Sequence, residues 1–455
     1  MEFKPGSRAE TLYGAEAEIE KLLGAGGQGY VYKVRYNGRP KAMKIYKPGA
    51  IANPKAFYSN LKSNIQRGSP SAEFLWPQDL VVPVSTPVGE TFGYIMELRP
   101  EGFEELSAFL AGCVRFASMR TAVDAALQIV AAFRVLHNKG CSYQDLNDGN
   151  FFIDPRSGRV LICDNDNVAP TGTNTGVLGK PRYMAPEIVR GEARPSTATD
   201  RFSLAVIIFL TLCLTHPLEG SRYLVPCLTP SVEAKLYGYE PIFLLDPEDK
   251  RNAPVRGIHK NIGLVWPELP SYMKDAFLRE FSREVLFNPN LRSTEAEWQK
   301  LLMRMRADIV RCPCGDEVLA SSETDYTCRR CGRKLPYFDL LRLSGCGYDM
   351  PACNGGAVFR LQLGTADVDE AGRAVLYIRR NPKNPQQVAV QNVSGETAEC
   401  VTPSGRLVPV ENGRAAPVKP GIKIRIGDGT AEVIARPDAE NGNDTEKGGA
   451  ENEHQ

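Results

Sequence analysis

Between Ile19 and Tyr46 apolar and polar residues alternate with period two, Tyr30, Tyr32 and Val34 falling on one face and Val31, Lys33 and Arg35 on the other. That alternation predicts strands, and Asn37-Gly38 between two such runs is a strong hairpin signal. A helix is predicted over 55–67, and Leu80 to Val84 with Thr91 to Leu98 give a second strand pair. From about residue 103 the apolar period becomes that of an amphipathic helix, most clearly in Ala122 to His137. A β-rich small lobe therefore precedes an α-rich large one.

After residue 305 the pattern changes again. Arg311 to Leu335 carries paired cysteines, and Ala357 to Ala435 is a series of short β-type runs broken by Pro-Ser-Gly, Asn-Gly, Pro-Gly and Gly-Asp-Gly turns. Such spacing predicts a small β-sandwich. Residues 437–455 have no apolar period and hold six acidic residues against Lys447, so a disordered acidic tail is expected there. No internal repeat is evident.

With 455 residues, 42% of them hydrophobic, the chain can bury a large core in two or three domains, which excludes a small peptide factor or a disordered scaffold. Its 55 Lys plus Arg against 54 Asp plus Glu exclude a bulk attraction to nucleic acid or anionic membrane. The first twenty residues contain no apolar stretch of the kind a secretory signal needs, and the longest apolar run, Leu204 to Leu214, is far short of a membrane span. A cytoplasmic protein without membrane association is expected. Of twelve cysteines, Cys141, Cys163 and Cys213 stand singly among apolar neighbours and read as buried thiols, whereas six fall between Cys312 and Cys353.

The run Gly24-Ala-Gly26-Gly27-Gln-Gly29-Tyr-Val31 lies in the turn between the first two strands, where backbone without side chains can approach phosphate oxygens. Alone it is compatible with an ordinary hairpin. Fifteen residues past Gly29, however, Ala42-Met-Lys44 lies in a strand placed to neutralise phosphate charge under that loop. Far downstream, Tyr143-Gln-Asp145-Leu-Asn147-Asp-Gly-Asn150 follows a helix, and a strand pair, Phe151 to Ile153 and Val160 to Cys163, runs into Asp164-Asn-Asp166. Phosphoryl transfer needs a carboxylate to orient the attacking hydroxyl and oxygen ligands for magnesium. Asp145 suits the first task; Asn150 and Asp164 suit the second. Asp and Asn also favour plain turns, but three correct spacings argue against that reading. Next come Gly179-Lys-Pro-Arg-Tyr-Met-Ala185-Pro186-Glu187, Thr199-Asp200 opening an apolar helix, and Asn290-Leu-Arg292.

Over residues 14–305 the chain resembles the protein kinase superfamily, specifically the bacterial eukaryotic-like Ser/Thr kinases of tellurite-resistance-associated type; seven motifs agree in order, spacing and context. The resemblance implies an α+β bilobal kinase fold, with an N-lobe over 14–97 and a C-lobe over 98–305. It implies that ATP binds beneath Gly24, Gly26, Gly27 and Gly29 and against Val31, Ala42, Met96, Glu97 and Leu98, Met96 being a gatekeeper before a hinge. Lys44 would contact the α- and β-phosphates, Asp145 would be the catalytic base, and Asn150 and Asp164 would hold Mg2+. Asp200 would brace the catalytic loop and Glu187 would pair with Arg292. The same resemblance implies a protein substrate, with a von Willebrand factor A domain protein and a metal-dependent protein phosphatase as partners.

Several positions depart from the family pattern. Ile45 to Ala72 contains no Asp or Glu, so the helix glutamate that ordinarily pairs with the strand lysine is missing, and Asp164 or an acid from elsewhere such as Glu73 must take its place. Gln144 stands where many regulated kinases have arginine, which argues against switching by phosphorylation of Thr171, Thr173 or Thr175. Asn147 replaces the lysine that ordinarily touches the transferring phosphate, and Asp166 replaces the glycine of the magnesium motif, which puts a second carboxylate near the metal. These changes motivate a rival reading, a pseudokinase scaffold that binds partners without phosphoryl transfer. His137 reads as a packing residue, and His216 and His259 form no ligand pattern.

Cys312-Pro-Cys314 and Cys328-Arg-Arg-Cys331 give two knuckles that can wrap a structural zinc, resembling a zinc ribbon over 309–336. The first knuckle is one residue short, so Cys346 or Cys353 is an alternative ligand, and a disulfide or unbound thiols are alternatives to metal. Arg329, Arg330, Arg333 and Lys334 lack interleaved aromatics and read as a solvated face rather than a nucleic-acid surface. The region 337–436 loosely resembles a forkhead-associated sandwich but shows no clear Ser-x-x-His element. Arg379 and Arg380 are its plausible anion contacts, and protein docking is the expected role.

Overall fold

The computed structural model describes residues 3–86, 89–176, 179–320, 327–335, 338–364, 370, 372–381 and 384–435. The expected tail over 437–455 lies outside the described residues. The chain divides into two compact units, Met1–Gln299 and Lys300–Gln455. The division falls inside the helix Glu295–Asp308, whereas the sequence motifs suggested a domain end at 305.

The first unit begins with a six-stranded antiparallel sheet of β1 (Arg8–Glu10), β2 (Glu16–Ala25), β3 (Gly29–Tyr36), β4 (Arg39–Tyr46), β5 (Asp79–Thr86) and β6 (Gly89–Glu97), in the order β1-β2-β3-β4-β6-β5. The alternation seen in the sequence sorts its side chains: Ile19, Tyr32, Val34, Met43 and Ile95 build a core on one face. Ala42, Tyr46, Tyr94 and Met96 build another with Phe57 and Leu61. Those last two lie on the helix Pro54–Arg67, which starts where Asn53 accepts the Ala56 N–H and Pro54 occupies the first turn. Gly93 is obligatory in β6, because a Cβ there would lie 2.0 Å from the Lys44 carbonyl oxygen on β4.

A helical region follows. Met119–Asn138 is capped by the Ser118 hydroxyl, and its apolar stripe packs on the helix Thr197–Cys213, which opens with a Ser196/Thr199 capping box and is buried along nearly its whole length. The short strands Phe151–Ile153 and Val160–Ile162 pair antiparallel, and the turns flanking them carry the polar motifs.

In the second unit a hairpin of Ile309–Arg311 with Glu317–Leu319 and a bridge between Thr327 and Lys334 set out two cysteine knuckles. Two antiparallel sheets then form, one of six strands including Leu340–Leu343 and Gly429–Ile434, the other of four including Ala374–Asn381 and Asn384–Asn392. Leu341, Val433, Ile424, Leu376 and Val390, drawn from both sheets, share one core. Among the described residues no helix is long and apolar enough to cross a membrane.

Candidate active site

Lys44 sits on β4 with Val31 opposite it on β3, and Ala42 pairs with Met96 on β6, so these four side chains line the same face of the sheet. The glycine loop precedes Val31. Gly26 N–H donates to the Gly29 carbonyl and Lys47 Nζ donates to the Gly26 carbonyl at 2.6 Å, closing the turn. A Cβ on Gly29 would meet the Ile45 carbonyl oxygen at 2.2 Å, whereas Gly24, Gly26 and Gly27 have open space before them. Glu97 is tied to Lys41 and Gln78, and Leu98 packs partly against the Ala42 and Met96 core.

The Lys44 ammonium is buried between two carboxylates, 3.1 Å from Asp164 Oδ1 and 2.9 Å from Asp166 Oδ2. Burial works against the charge, yet Asp166 and Asp164 outweigh it and hold the Lys44 pKa above the ordinary lysine value. Tyr46 donates its hydroxyl to the same Asp166 oxygen. Asp166 is wholly buried, and its Oδ2, which takes both the Lys44 ammonium and the Tyr46 hydroxyl, makes it a counterion of Lys44, while its Oδ1 has no hydrogen-bond partner among the described residues. Glu73, the other acid considered for Lys44, instead accepts from the Ser71 hydroxyl. The helix Pro54–Arg67 docks without any acid, through Asn60 and Asn64 side-chain amides that donate to the Val168 carbonyl at 2.8 and 2.7 Å.

Asp164 adopts a left-handed backbone, φ 52°, and its side chain is 41% exposed, unlike that of Asp166. Asn150 donates from Nδ2 to the Asp145 carbonyl at 2.8 Å, which leaves its Oδ1 as the acceptor end of the amide. A carboxylate and an amide oxygen are hard donors of the kind magnesium takes, so Asp164 and Asn150 fit that ion. Asp145 receives Asn147 Nδ2 at 3.0 Å. Burial, with the charges of Asp164 and Asp166 nearby, raises its pKa to about 6 despite opposing contributions from Asn147 and Lys180.

The loop carrying Asp145 hangs from Asp200, which accepts Tyr143 N–H at 2.5 Å and Gln144 N–H at 3.2 Å. His137 is more than a packing residue. Its Nε2 lies 3.1 Å from Asp200 and its Nδ1 2.8 Å from Glu295. Burial opposes its charge, but hydrogen bonds to the two carboxylates raise its pKa to about 9. Glu187 and Arg292 form a buried pair with both contacts at 2.7 Å. Gln144 holds the following segment with a neutral amide, donating to the Thr173 carbonyl at 2.9 Å and accepting from the Thr175 hydroxyl at 3.2 Å. His216 is buried, which lowers its pKa to about 4, and among the described residues it joins no group that could hold a metal ion.

In the second unit the sulfurs of Cys312, Cys314, Cys328 and Cys331 all lie within 4.8 Å of one another, so the four can hold a metal ion. Cys312 to Cys331 is 3.7 Å and Cys314 to Cys328 is 3.6 Å, close to the edge of about 3.8 Å expected for a tetrahedral ZnS4 centre with Zn–S near 2.3 Å. They are much too far apart for disulfides, which need about 2.05 Å. Cys346 donates to the Gln362 carbonyl and Cys353 packs in an apolar cluster, and neither joins the four. Arg379 and Arg380 are exposed and line a groove of about 660 Å³ together with Gln391 and Lys419.

Sequence reasoning missed Tyr46, Gly93 and Lys180. Tyr46 and Gly93 look like ordinary sheet residues in a linear reading, while Lys180, whose Nζ lies 3.0 Å from Asn147 Oδ1, was visible as a cation inside the Gly179 to Glu187 motif.

Comparison with known proteins bears on this geometry directly. Residues 17–226 match the family described as protein kinase domain, and the chain carries such a domain. A probable cAMP-dependent protein kinase catalytic subunit of Encephalitozoon cuniculi is 31% identical over 211 residues, 45% of this chain and 62% of that protein. The Schizosaccharomyces pombe serine/threonine-protein kinase sck2 is 27% identical over 206 residues, 43% of this chain and 31% of its own length. The mouse serine/threonine-protein kinase SBK2 is 25% identical over 301 residues, 57% of this chain and 78% of that protein. The chain thus spans less than two thirds of the first two relatives, and all three align with it over little more than half its length or less.

Proposed function

We propose that the protein transfers the γ-phosphoryl group of ATP, with Mg2+, to a serine or threonine hydroxyl of a partner protein. The observation that carries this reading is the convergence of Lys44, Asp164, and Asp145 with Asn150 from three separate chain segments, with Lys44 charged and Asp145 hydrogen-bonded through Asn147. In the proposed mechanism Lys44 binds the α- and β-phosphates beneath the glycine loop, and Asp145 orients the attacking hydroxyl and takes its proton. Asp164 and Asn150 would hold magnesium, which when bound neutralises phosphate charge. The Lys44–Asp166 contact supports activity, because it supplies the carboxylate whose absence from the helix Pro54–Arg67 motivated the scaffold reading.

The Cys312, Cys314, Cys328 and Cys331 cluster is proposed as a structural zinc ribbon, since four thiolates suit zinc and so small a segment needs metal to fold. The paired sheets that follow are proposed as a forkhead-associated-like docking module that recruits substrate. A von Willebrand factor A domain protein and a metal-dependent protein phosphatase are the proposed partners, and the cytoplasm is the proposed location.

Transfer of radiolabelled phosphate from ATP and magnesium tests the reading. Wild type should label itself or a partner, and Lys44→Met and Asp145→Asn should not. Absence of transfer to any tested partner, with partner binding undiminished in both variants, would instead establish the scaffold.

A further inference from the structure

We propose that Lys180 is a catalytic residue that places its ammonium on the transferring phosphoryl group, the task for which position 147 carries no charge. The inference rests on the phosphotransferase reading. Asn147 is a neutral amide fastened at both ends: its Nδ2 donates to Asp145 Oδ1 at 3.0 Å, and its Oδ1 accepts Gly149 N–H and Lys180 Nζ, each at 3.0 Å. A cation from 33 residues downstream therefore stands one side chain away from the carboxylate that orients the hydroxyl.

Backbone geometry brings it there. A Cβ on Gly179 would lie 3.3 Å from Asp145 Oδ1, so the chain at 179 runs against the base, and Lys180 extends along the loop toward Asp148 Oδ1 at 3.6 Å. Lys44, by contrast, is buried and committed to Asp164 and Asp166. The Lys180 side chain is 57% exposed on a flexible four-carbon stem, so its ammonium can leave Asn147 for a phosphate oxygen at little cost.

Chemistry requires such a group. As the substrate hydroxyl oxygen bonds to the γ-phosphorus, the bond from that phosphorus to the β,γ-bridging oxygen breaks and its electron pair leaves with ADP. The hydroxyl proton goes to the Asp145 carboxylate. Charge on the three equatorial oxygens is then met by a cation beside the base, and the Lys180 ammonium lies one side chain, Asn147, away from Asp145.

The test compares wild type, Lys180→Met and the exchange variant Asn147→Lys/Lys180→Asn in steady-state transfer to a fixed protein substrate, with ATP binding and thermal melting measured alongside. Lys180→Met should lose roughly 10²-fold in kcat while ATP affinity and melting temperature hold. The exchange variant should recover most of the lost rate, which a merely structural tie would not produce. Transfer by Lys180→Met within about twofold of wild type overturns the inference and leaves the phosphotransferase reading standing, as does a natively melting exchange variant that recovers nothing. No transfer by wild type overturns both.

Discussion

Lys44 Nζ lies 2.9 Å from Asp166 Oδ2, closer than the 3.1 Å that separates it from Asp164 Oδ1. The residue two places after Asp164 thereby supplies a counterion from the chain's own turn, and no movement of the helix Pro54–Arg67 is needed to complete the ion pair. Asp166→Asn should leave Lys44 dependent on Asp164 alone. Losing one partner of a buried pair costs up to roughly 4 kcal/mol, so a clear fall in melting temperature and weaker nucleotide binding are expected. An unchanged melting curve would show that Asp166 contributes no stabilising charge.

A pKa of about 6 for Asp145 has a direct kinetic consequence. The base proposed for the transfer must be ionised, so kcat/KM should be level above pH 7 and fall as pH drops through about 6. Asn147→Ala removes the hydrogen bond that favours the carboxylate and should move this limb upward. The check is a pH series of initial rates with the substrate below its KM; a limb near 4 would contradict the burial argument.

The His137 bridge between Asp200 and Glu295 makes stability depend on alkaline pH. Its folded pKa, about 9, is raised above the ordinary 6.5, so its stabilisation is full below pH 6.5 and is lost as pH rises through 9. The linked free energy is on the order of 3 kcal/mol. His137→Gln should lower the melting temperature at pH 6 and flatten its decline between pH 7 and 9. Thermal melts of both proteins across that window decide the matter.

What could be read from the chain was whatever depends on residue type and short spacing. The hairpin at Asn37-Gly38, the helices around Ala122 and Phe202, and the order of Lys44, Asp145, Asn150 and Asp164 all have local causes: turn chemistry, apolar period and the donor needs of a phosphate. Pairing over 122 residues between Lys44 and Asp166 has no such local signature, and neither has the passage of Lys180 to Asn147. Gly93 was opaque for a similar reason: what demands it is the neighbouring strand's carbonyl oxygen.

Gly93→Ala should show how tightly that strand is held. A Cβ at 2.0 Å from the Lys44 carbonyl oxygen meets backbone, which cannot swing aside as a side chain would. Overpacking of this kind costs about 1–3 kcal/mol. Because the displaced carbonyl belongs to Lys44, nucleotide binding should weaken along with stability. Gly24→Ala, facing open space, is the control and should leave the unfolding free energy within about 0.5 kcal/mol of wild type.

The four-cysteine cluster makes metal content and local folding a single measurement. If Cys312, Cys314, Cys328 and Cys331 share one ion, the purified chain should carry about one zinc, and a chelator should remove it together with the amide protection of the two cysteine knuckles. Cys314→Ser, which changes an exposed ligand, should lose the metal without opening a cavity in the apolar cluster around Val310 and Leu335. Cys346→Ser should keep it, because that thiol is turned to the Gln362 carbonyl. Retention of zinc by Cys314→Ser combined with its loss from Cys346→Ser would reassign the fourth ligand. A chain purified without any metal, but with both knuckles fully protected, would mean that they fold on apolar packing alone.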